Sequence, residues 1–299
     1  MGVNRMRLKN IPGTNIPIQR QKKKVNVVML IASIIFGLYA ISLIIPLAWG
    51  VMMSFQERLK YITDKTSFPN PMQFKNYVQA FTELQASGNN MFTMIFNSMW
   101  YSILSPVIAV FTTLMASYVC AKYKFILNKI IYWIAIVTMM IPISGSLPAS
   151  IRLSQMLGIY DNPLTLVSAI GGLGSNFVIG FAFFKGVDWA YAESAFIDGA
   201  SHTRVFLQIM LPQAISPIIA LGLMGFISHW NDATGPLIYL PSYPTLASGF
   251  YVYQIESGRM LNYPVYFAGL FIASIPIIAL YIAFQDTLMN LNMGGGLKG

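Results

Sequence analysis

The sequence predicts an all-α membrane protein with six transmembrane helices and both termini in the cytoplasm. Three observations carry that prediction. Only 10% of the 299 residues are charged while 56% are hydrophobic, whereas a soluble domain carries about 25% charged residues. So few charges cannot cover a water-facing surface, and hydrocarbon is the solvent that tolerates one. The charges also cluster, leaving long stretches without any. Finally, the basic clusters fall on alternate connections, as the positive-inside bias of membrane proteins requires.

Each span follows from length and apolarity. Crossing about 30 Å of hydrocarbon takes roughly 20 helical residues. Six stretches qualify: 27–53 with Pro46 as a kink, 92–120, 129–148 with Pro142 inside it, 164–184, 214–239 and 264–284. The run from Val27 to Met53 follows basic residues, as a signal-peptide core would. It is too long for one and no small-residue cleavage site follows, so it reads as a retained first helix.

Orientation comes from lysine and arginine. The formal charge is +9. Much of it lies before the first span, at Arg5, Arg7, Lys9, Arg20, Lys22, Lys23 and Lys24, with no acid among them. Such a juxtamembrane cluster faces the cytoplasm and the lipid surface, and is no signature of nucleic-acid binding. Lys122, Lys124 and Lys129 mark a second inside turn, and 185–212 and the end at Lys298 complete that side. The outside connections are 56–90, 149–163 and 240–263. In the first of these Arg58, Lys60, Lys65 and Lys75 nearly balance Glu57, Asp64 and Glu83. Its Phe68-Pro69-Asn70-Pro71 punctuation precedes a short amphipathic helix, Phe74 to Leu84, which either lies on the outer rim or meets an external partner. The chain thus divides into a basic segment 1–25, a transmembrane domain 26–290 and a Gly-rich tail 291–299. Cys120 is alone, which excludes an intrachain disulfide.

The most informative stretch is the inside connection from Glu193 to Pro212. Gly199 interrupts a short helical run and suits a positive-φ position. Ser201 can cap the next helix by accepting from a backbone N–H near Arg204. Val205, Phe206, Ile209 and Met210 share a helical face, and Pro212 ends or kinks the pattern as the fifth span begins. The product is a helix–Gly–helix knob with an apolar face. That face either packs on the chain's own helix ends or docks in a groove on a cytoplasmic partner.

This stretch resembles the "EAA" loop of the permeases of bacterial binding-protein-dependent ABC importers. Glu193, Ala195, Asp198, Gly199, Ala200, Phe206, Ile209, Leu211 and Pro212 stand at the family's spacing, and Ser194 replaces the middle alanine. The resemblance covers residues 27–299 and implies a type I ABC importer permease fold in the bacterial cytoplasmic membrane. It also implies that the loop couples to a separate ATPase through Glu193, Ala195, Asp198, Gly199 and Ala200, with Arg204 and Phe206 as further contacts. Asn97-Ser98 and Trp230-Asn231 are similar to pairs found in sugar permeases of this family. The tail Gly294-Gly295-Gly296-Leu297-Lys298-Gly299 resembles that of the smaller permease of maltose transporters, which implies that Gly295, Gly296 and Lys298 reach the ATPase interface. On composition alone such a tail would only fray. The implied partners are a second homologous permease, an ATPase dimer and an extracytoplasmic solute-binding protein, and the implied cargo is a carbohydrate.

The chain contains no phosphate loop of the G-x-x-x-x-G-K-[ST] type, so ATP and Mg are expected on the partner ATPase. His202 and His229 are the only histidines, no metal spacing occurs, and no nucleophile–base set is visible. The chain alone therefore does not read as an enzyme.

Polar residues within spans mark the candidate path. The fifth span holds His229, Trp230, Asn231 and Asp232, the last being the only acid placed inside a span. Aromatic faces beside hydrogen-bonding groups suit a sugar; packing between helices would account for the same residues. Asn97, Trp100 and Tyr101 are further lining candidates. Gly171, Gly172, Gly174 and Gly180 in the fourth span point to close helix packing. Two other readings exist: an ABC permease for peptides, amino acids or polyamines, and an ion-coupled carrier or channel. The latter usually shows buried ionisable relays and internal repeats, and neither is evident.

Overall fold

The computed structural model describes residues 27–141 and 145–294. The chain divides into two units, 1–49 and 50–299. The first, where described, is residues 27–49 of the uncharged helix α1 (Val27–Ser54), which contains Pro46; the last turn of α1 belongs to the second unit.

The second unit goes on to the connection expected outside. It contains α2 (Arg58–Thr63), α3 (Lys75–Glu83) and a two-residue antiparallel hairpin, β1 (Gln85–Ala86) and β2 (Asn89–Asn90). The hairpin turns through Ser87 and Gly88, both at positive φ, as a tight turn between twisted strands requires. Helix α3 reproduces the expected amphipathic helix to within one residue at each end. The buried amide of Asn76 donates to the carbonyls of Ser54 (2.8 Å) and Gln56 (2.9 Å), clamping the connection to the end of α1.

Helix α4 (Met91–Lys122) is the second expected span, capped by Asn90, whose side chain accepts from the Thr93 N–H at 3.0 Å. One face of α4 buries small polar residues: Ser98, Ser102, Ser105, Thr113 and Ser117. They let other helices approach closely, the packing mode available where lipid removes the usual hydrophobic drive.

In the third expected span the described residues hold α5 (Asn128–Met140), 13 residues long and apolar but shorter than a full crossing. Residues 142–144, and with them Pro142, lie outside the described residues. Helix α6 (Leu147–Met156) then occupies much of the connection 149–163.

The stretch expected as the fourth span is not one helix. A 3-10 turn, Pro163–Ala169, capped by Asn162, is followed by a non-helical stretch, and only then by α7 (Ser175–Gly186). Glycine is the least helix-favouring residue after proline, and three glycines occur in 171–174. The α4 backbone also approaches here: the Gly171 N–H donates to Oγ1 of Thr112 at 2.7 Å. A Cβ on Gly171 would stand 1.8 Å from Thr113 Oγ1, and one on Gly180 would stand 2.8 Å from Ser117 Oγ. Close packing is therefore what those two glycines permit, whereas Gly172 and Gly174 face open space.

Beyond α8 (Ala190–Ile197), α9 (His202–Val205) and α10 (Leu211–Gln213), the stretch expected as the fifth span begins as α11 (Ile215–Trp230). It breaks at Asn231–Ala233 and resumes as α12 (Thr234–Tyr239). Helix α13 (Leu246–Ser257), closed by a Thr245/Ser248 capping box, leads to α14 (Tyr263–Gly294). Among the described residues, three helices are long and apolar enough to cross a membrane. The helices His202–Gln213 and Ile215–Trp230, which meet at 77°, reach that length only if the bent pair is counted as one span.

Candidate functional site

The 188–213 segment folds as a knob whose geometry follows from a few residues. Oδ1 of Asp188 accepts from the Ala190 N–H at 3.0 Å and starts α8. Gly199 ends it at φ +79°. There the N–H of Ala200 donates to the Ala195 carbonyl (2.9 Å) and that of Gly199 to Phe196 (3.0 Å), which is the Schellman closure of a helix C-terminus. Nothing lies within 4 Å of where a Gly199 Cβ would sit. The glycine thus serves the backbone conformation and leaves the tip open. Ser201 Oγ accepts from the Arg204 N–H at 3.3 Å, starting α9 as expected. A π-helical turn over Phe206–Met210 then widens the register. In that register Val205, Phe206 and Met210 point the same way, and all three are buried.

The inward face of the knob is part of the core. Ala192, Ala195, Val205, Phe206 and Met210 pack against Val110, Leu114 and Tyr118 of α4 and Phe184 of α7. The Phe206 ring lies 5.1 Å from that of Tyr118. The polar rim is tied as well. The Lys122 ammonium donates to the Val187 carbonyl. Tyr123 hydrogen-bonds Nδ1 of His202 at 2.8 Å, and its ring meets Trp189 edge-on. The outward face holds Glu193, Ile197, Asp198 and Arg204, all exposed. Nε of Arg204 donates to Gln208 at 2.9 Å. Ile197 is 86% exposed, an apolar side chain at the tip beside Gly199.

The second cluster surrounds the break in the fifth span. Oδ1 of Asp232 accepts from the Gly235 N–H at 2.9 Å, and Oδ2 accepts from the Tyr101 hydroxyl at 3.1 Å. The acid therefore starts α12 and links it to α4. Nδ1 of His229 donates to the Gly225 carbonyl at 2.8 Å, and its ring lies 5.3 Å from that of Tyr101. The buried indole of Trp230 stacks on Phe226 and donates to the Ala273 carbonyl in α14 at 3.0 Å. Asn231 donates back to Ile227 at 2.8 Å. The buried amide of Asn97 donates to Pro244 at 3.0 Å and accepts from the Trp100 indole at 3.2 Å. Beside it, Ser98 Oγ accepts from the Leu246 N–H at 2.7 Å.

Residues 109–289 match the family of binding-protein-dependent transport system inner membrane components. The chain belongs to this family. As an inner membrane component of such a system it is a transport subunit rather than an enzyme. It resides in the cytoplasmic membrane, crosses it more than once, and works with a solute-binding protein and an ATPase. The chain is 24% identical over 252 residues to the permease of a diacetylchitobiose uptake system of Streptomyces coelicolor, covering 83% of this chain and 82% of that one. It is 25% identical to the permease of a galactooligosaccharides transport system of Bacillus subtilis, covering 91% and 96%. A bacterial ABC transporter involved in the import of the acidic polysaccharide alginate shares the fold with a TM-score of 0.72. That match, at 19% identity, covers 87% of this chain and 96% of the other.

Within this inner membrane component the residues singled out from sequence divide by position. Glu193, Asp198, Gly199 and Arg204 stand on the outward face of the knob and Ala200 is half-buried, whereas Ala195 and Phe206 point inward and hold it to the body. Phe206 is buried with its ring against Tyr118, so it faces the core with Val205 and Met210 rather than the outward side of the knob. His229, Asp232, Trp100 and Tyr101 come together, while Asn97 and Trp230 spend their polar groups on the fold. Gly295, Gly296 and Lys298 lie outside the described residues. Sequence reasoning missed Ile197. Its signal was present, since an apolar residue directly precedes the Asp-Gly turn at the end of α8.

Proposed function

We propose that this chain is the permease subunit of an ATP-driven importer for a sugar or oligosaccharide, and that the 188–213 knob, which holds the 193–212 loop, is its coupling element. On this reading the chain crosses the membrane six times, with both termini in the cytoplasm. It pairs with a second, homologous permease, and ATP and Mg bind to the partner ATPase. The observation that carries the coupling role is the two-faced knob. Its inner side is welded to α4 and α7 through Ala195, Val205, Phe206 and Met210, and its outer side offers Ile197 beside charged Glu193, Asp198 and Arg204. A small apolar tip ringed by charge is the kind of surface that enters a groove on a partner. A push on that tip then reaches the long helices through packed side chains rather than through a loose loop. The carbohydrate class is supported by the uptake systems of the two relatives described above.

The test is gentle affinity purification from native membranes, followed by uptake in proteoliposomes. The expected result is co-purification of an ATPase and a second permease, with saccharide uptake that requires ATP and the binding protein. Recovery of a stable homo-oligomer without an ATPase, taking up solute on an ion gradient alone, would sink the proposal.

A further inference from the structure

The break at Asn231–Ala233 opens on a cavity of 390 Å³ between the end of α11, α13 and α14, remote in sequence from the knob. Small-molecule sites commonly measure about 300–1,000 Å³. No lysine, arginine, aspartate, glutamate or histidine lines this one. Its walls are aromatic, from Trp230, Phe250, Tyr251 and Tyr266, and its remaining polar groups have unspent capacity. The Tyr266 hydroxyl donates to Oε1 of Gln254 at 3.4 Å, so the Gln254 amide nitrogen keeps its donors. Asn231 uses its nitrogen on Ile227, which leaves Oδ1 as an acceptor. Non-helical backbone inside a span is tolerated where it lines a cavity.

We propose that this cavity is a subsite for a neutral saccharide in transit, with aromatic faces for the apolar faces of a pyranose ring and Gln254 and Asn231 for its hydroxyl rim. The proposal rests on the carbohydrate reading above and adds to it that an ionic cargo finds no counter-charge here. Lacking charge and keeping only a few hydrogen-bonding groups, the subsite holds its cargo weakly enough to release it.

The test uses the complete transporter in proteoliposomes with tritiated N,N′-diacetylchitobiose and galactobiose, both uncharged. Two variants are compared with wild type at matched amounts of assembled complex: Gln254→Leu, at an exposed position that leaves the fold intact, and Ala247→Phe, which fills the cavity. The readouts are saccharide taken up per ATP hydrolysed and the stimulation of ATP hydrolysis by the binding protein. The expected result is uptake per ATP lowered about fivefold to tenfold in Gln254→Leu, the scale of one lost hydrogen bond, with stimulation retained. Ala247→Phe is expected to lower uptake per ATP at least as far, and wild-type uptake per ATP in either variant would overturn the subsite while leaving the carbohydrate reading standing. A wild-type transporter that takes up neither disaccharide but does take up peptides or polyamines would overturn both.

Discussion

The hydroxyl of Tyr101 donates to Oδ2 of Asp232 at 3.1 Å, joining α4 to the break in the fifth span across 131 positions of sequence. The same carboxylate accepts from the Gly235 N–H, so it holds a helix start and a helix–helix contact at once. Tyr101→Phe removes one of these bonds and is expected to cost about 1 kcal/mol; Asp232→Ala removes both and is expected to cost about 2–3 kcal/mol. Melting of the detergent-solubilised protein measures each. The double variant should melt close to Asp232→Ala, since the pair acts as a unit. Fully additive losses would show that the contact contributes nothing.

Gly199 separates two effects that a single substitution confuses. Its φ of +79° penalises any side chain, by about 1–2 kcal/mol for an L-residue, while the surrounding space is empty. Gly199→Ala should therefore lower the melting temperature slightly and leave uptake largely intact. Gly199→Trp should reach the membrane in normal amount, yet lose most uptake, because the indole protrudes from the tip that the proposed coupling role assigns to the ATPase contact. Wild-type uptake by Gly199→Trp would remove the coupling role.

Ile197 offers a cleaner readout of docking. At 86% exposure it contributes little to folding, so Ile197→Glu should change stability by less than about 0.5 kcal/mol. Recovery of the ATPase in a pull-down with this variant should fall at least severalfold. An unchanged yield would place the interface elsewhere on the chain.

Two glycines sit equally tight yet should respond differently to alanine. A Cβ on Gly171 meets the Ala109 carbonyl at 2.4 Å as well as Thr113, and a helix backbone cannot step aside. A Cβ on Gly249 meets only the Met94 side chain, its nearest atom the sulfur at 2.0 Å, and methionine is the most adaptable of core residues. Gly171→Ala should cost about 3 kcal/mol, at the upper end of overpacking penalties, and Gly249→Ala about 1 kcal/mol. Equal shifts in melting temperature would contradict the distinction.

What the sequence made legible was local or periodic. Ser201 and Gly199 were readable because a cap and a left-handed turn need partners only three to five residues away. The long apolar helices α1, α4 and α14 were readable because apolarity is a sum over a window. The interruptions at 170–174 and 231–233 were legible only in part: the glycines of the first and the Asp232–Gly235 bond of the second are local, but the contacts from Thr112 and Tyr101 of α4 are not. The employment of Asn97 and Trp230 was hidden for the same reason. Their partners, Pro244 and Ala273, lie 147 and 43 residues away. Nothing near Asn97 in sequence tells a lining amide from one that holds a turn. The grouping of Phe206 with Val205 and Met210 was readable from the period, but the direction of that shared face was not, because Tyr118 and Phe184, which it packs against, are far off in sequence.

The bend at Ala214 has a mechanical consequence. The knob and α11 share one backbone through a 77° elbow, with the knob's inner side already packed in the core. Sixteen residues of α11 form an arm of about 24 Å at 1.5 Å per residue, so a rocking of about 10° at the elbow sweeps its far end by about 4 Å. That far end carries Trp230 and the start of the break. A hand's turn too small to notice at the membrane surface is thereby magnified to roughly the width of a sugar ring at the other end of the arm.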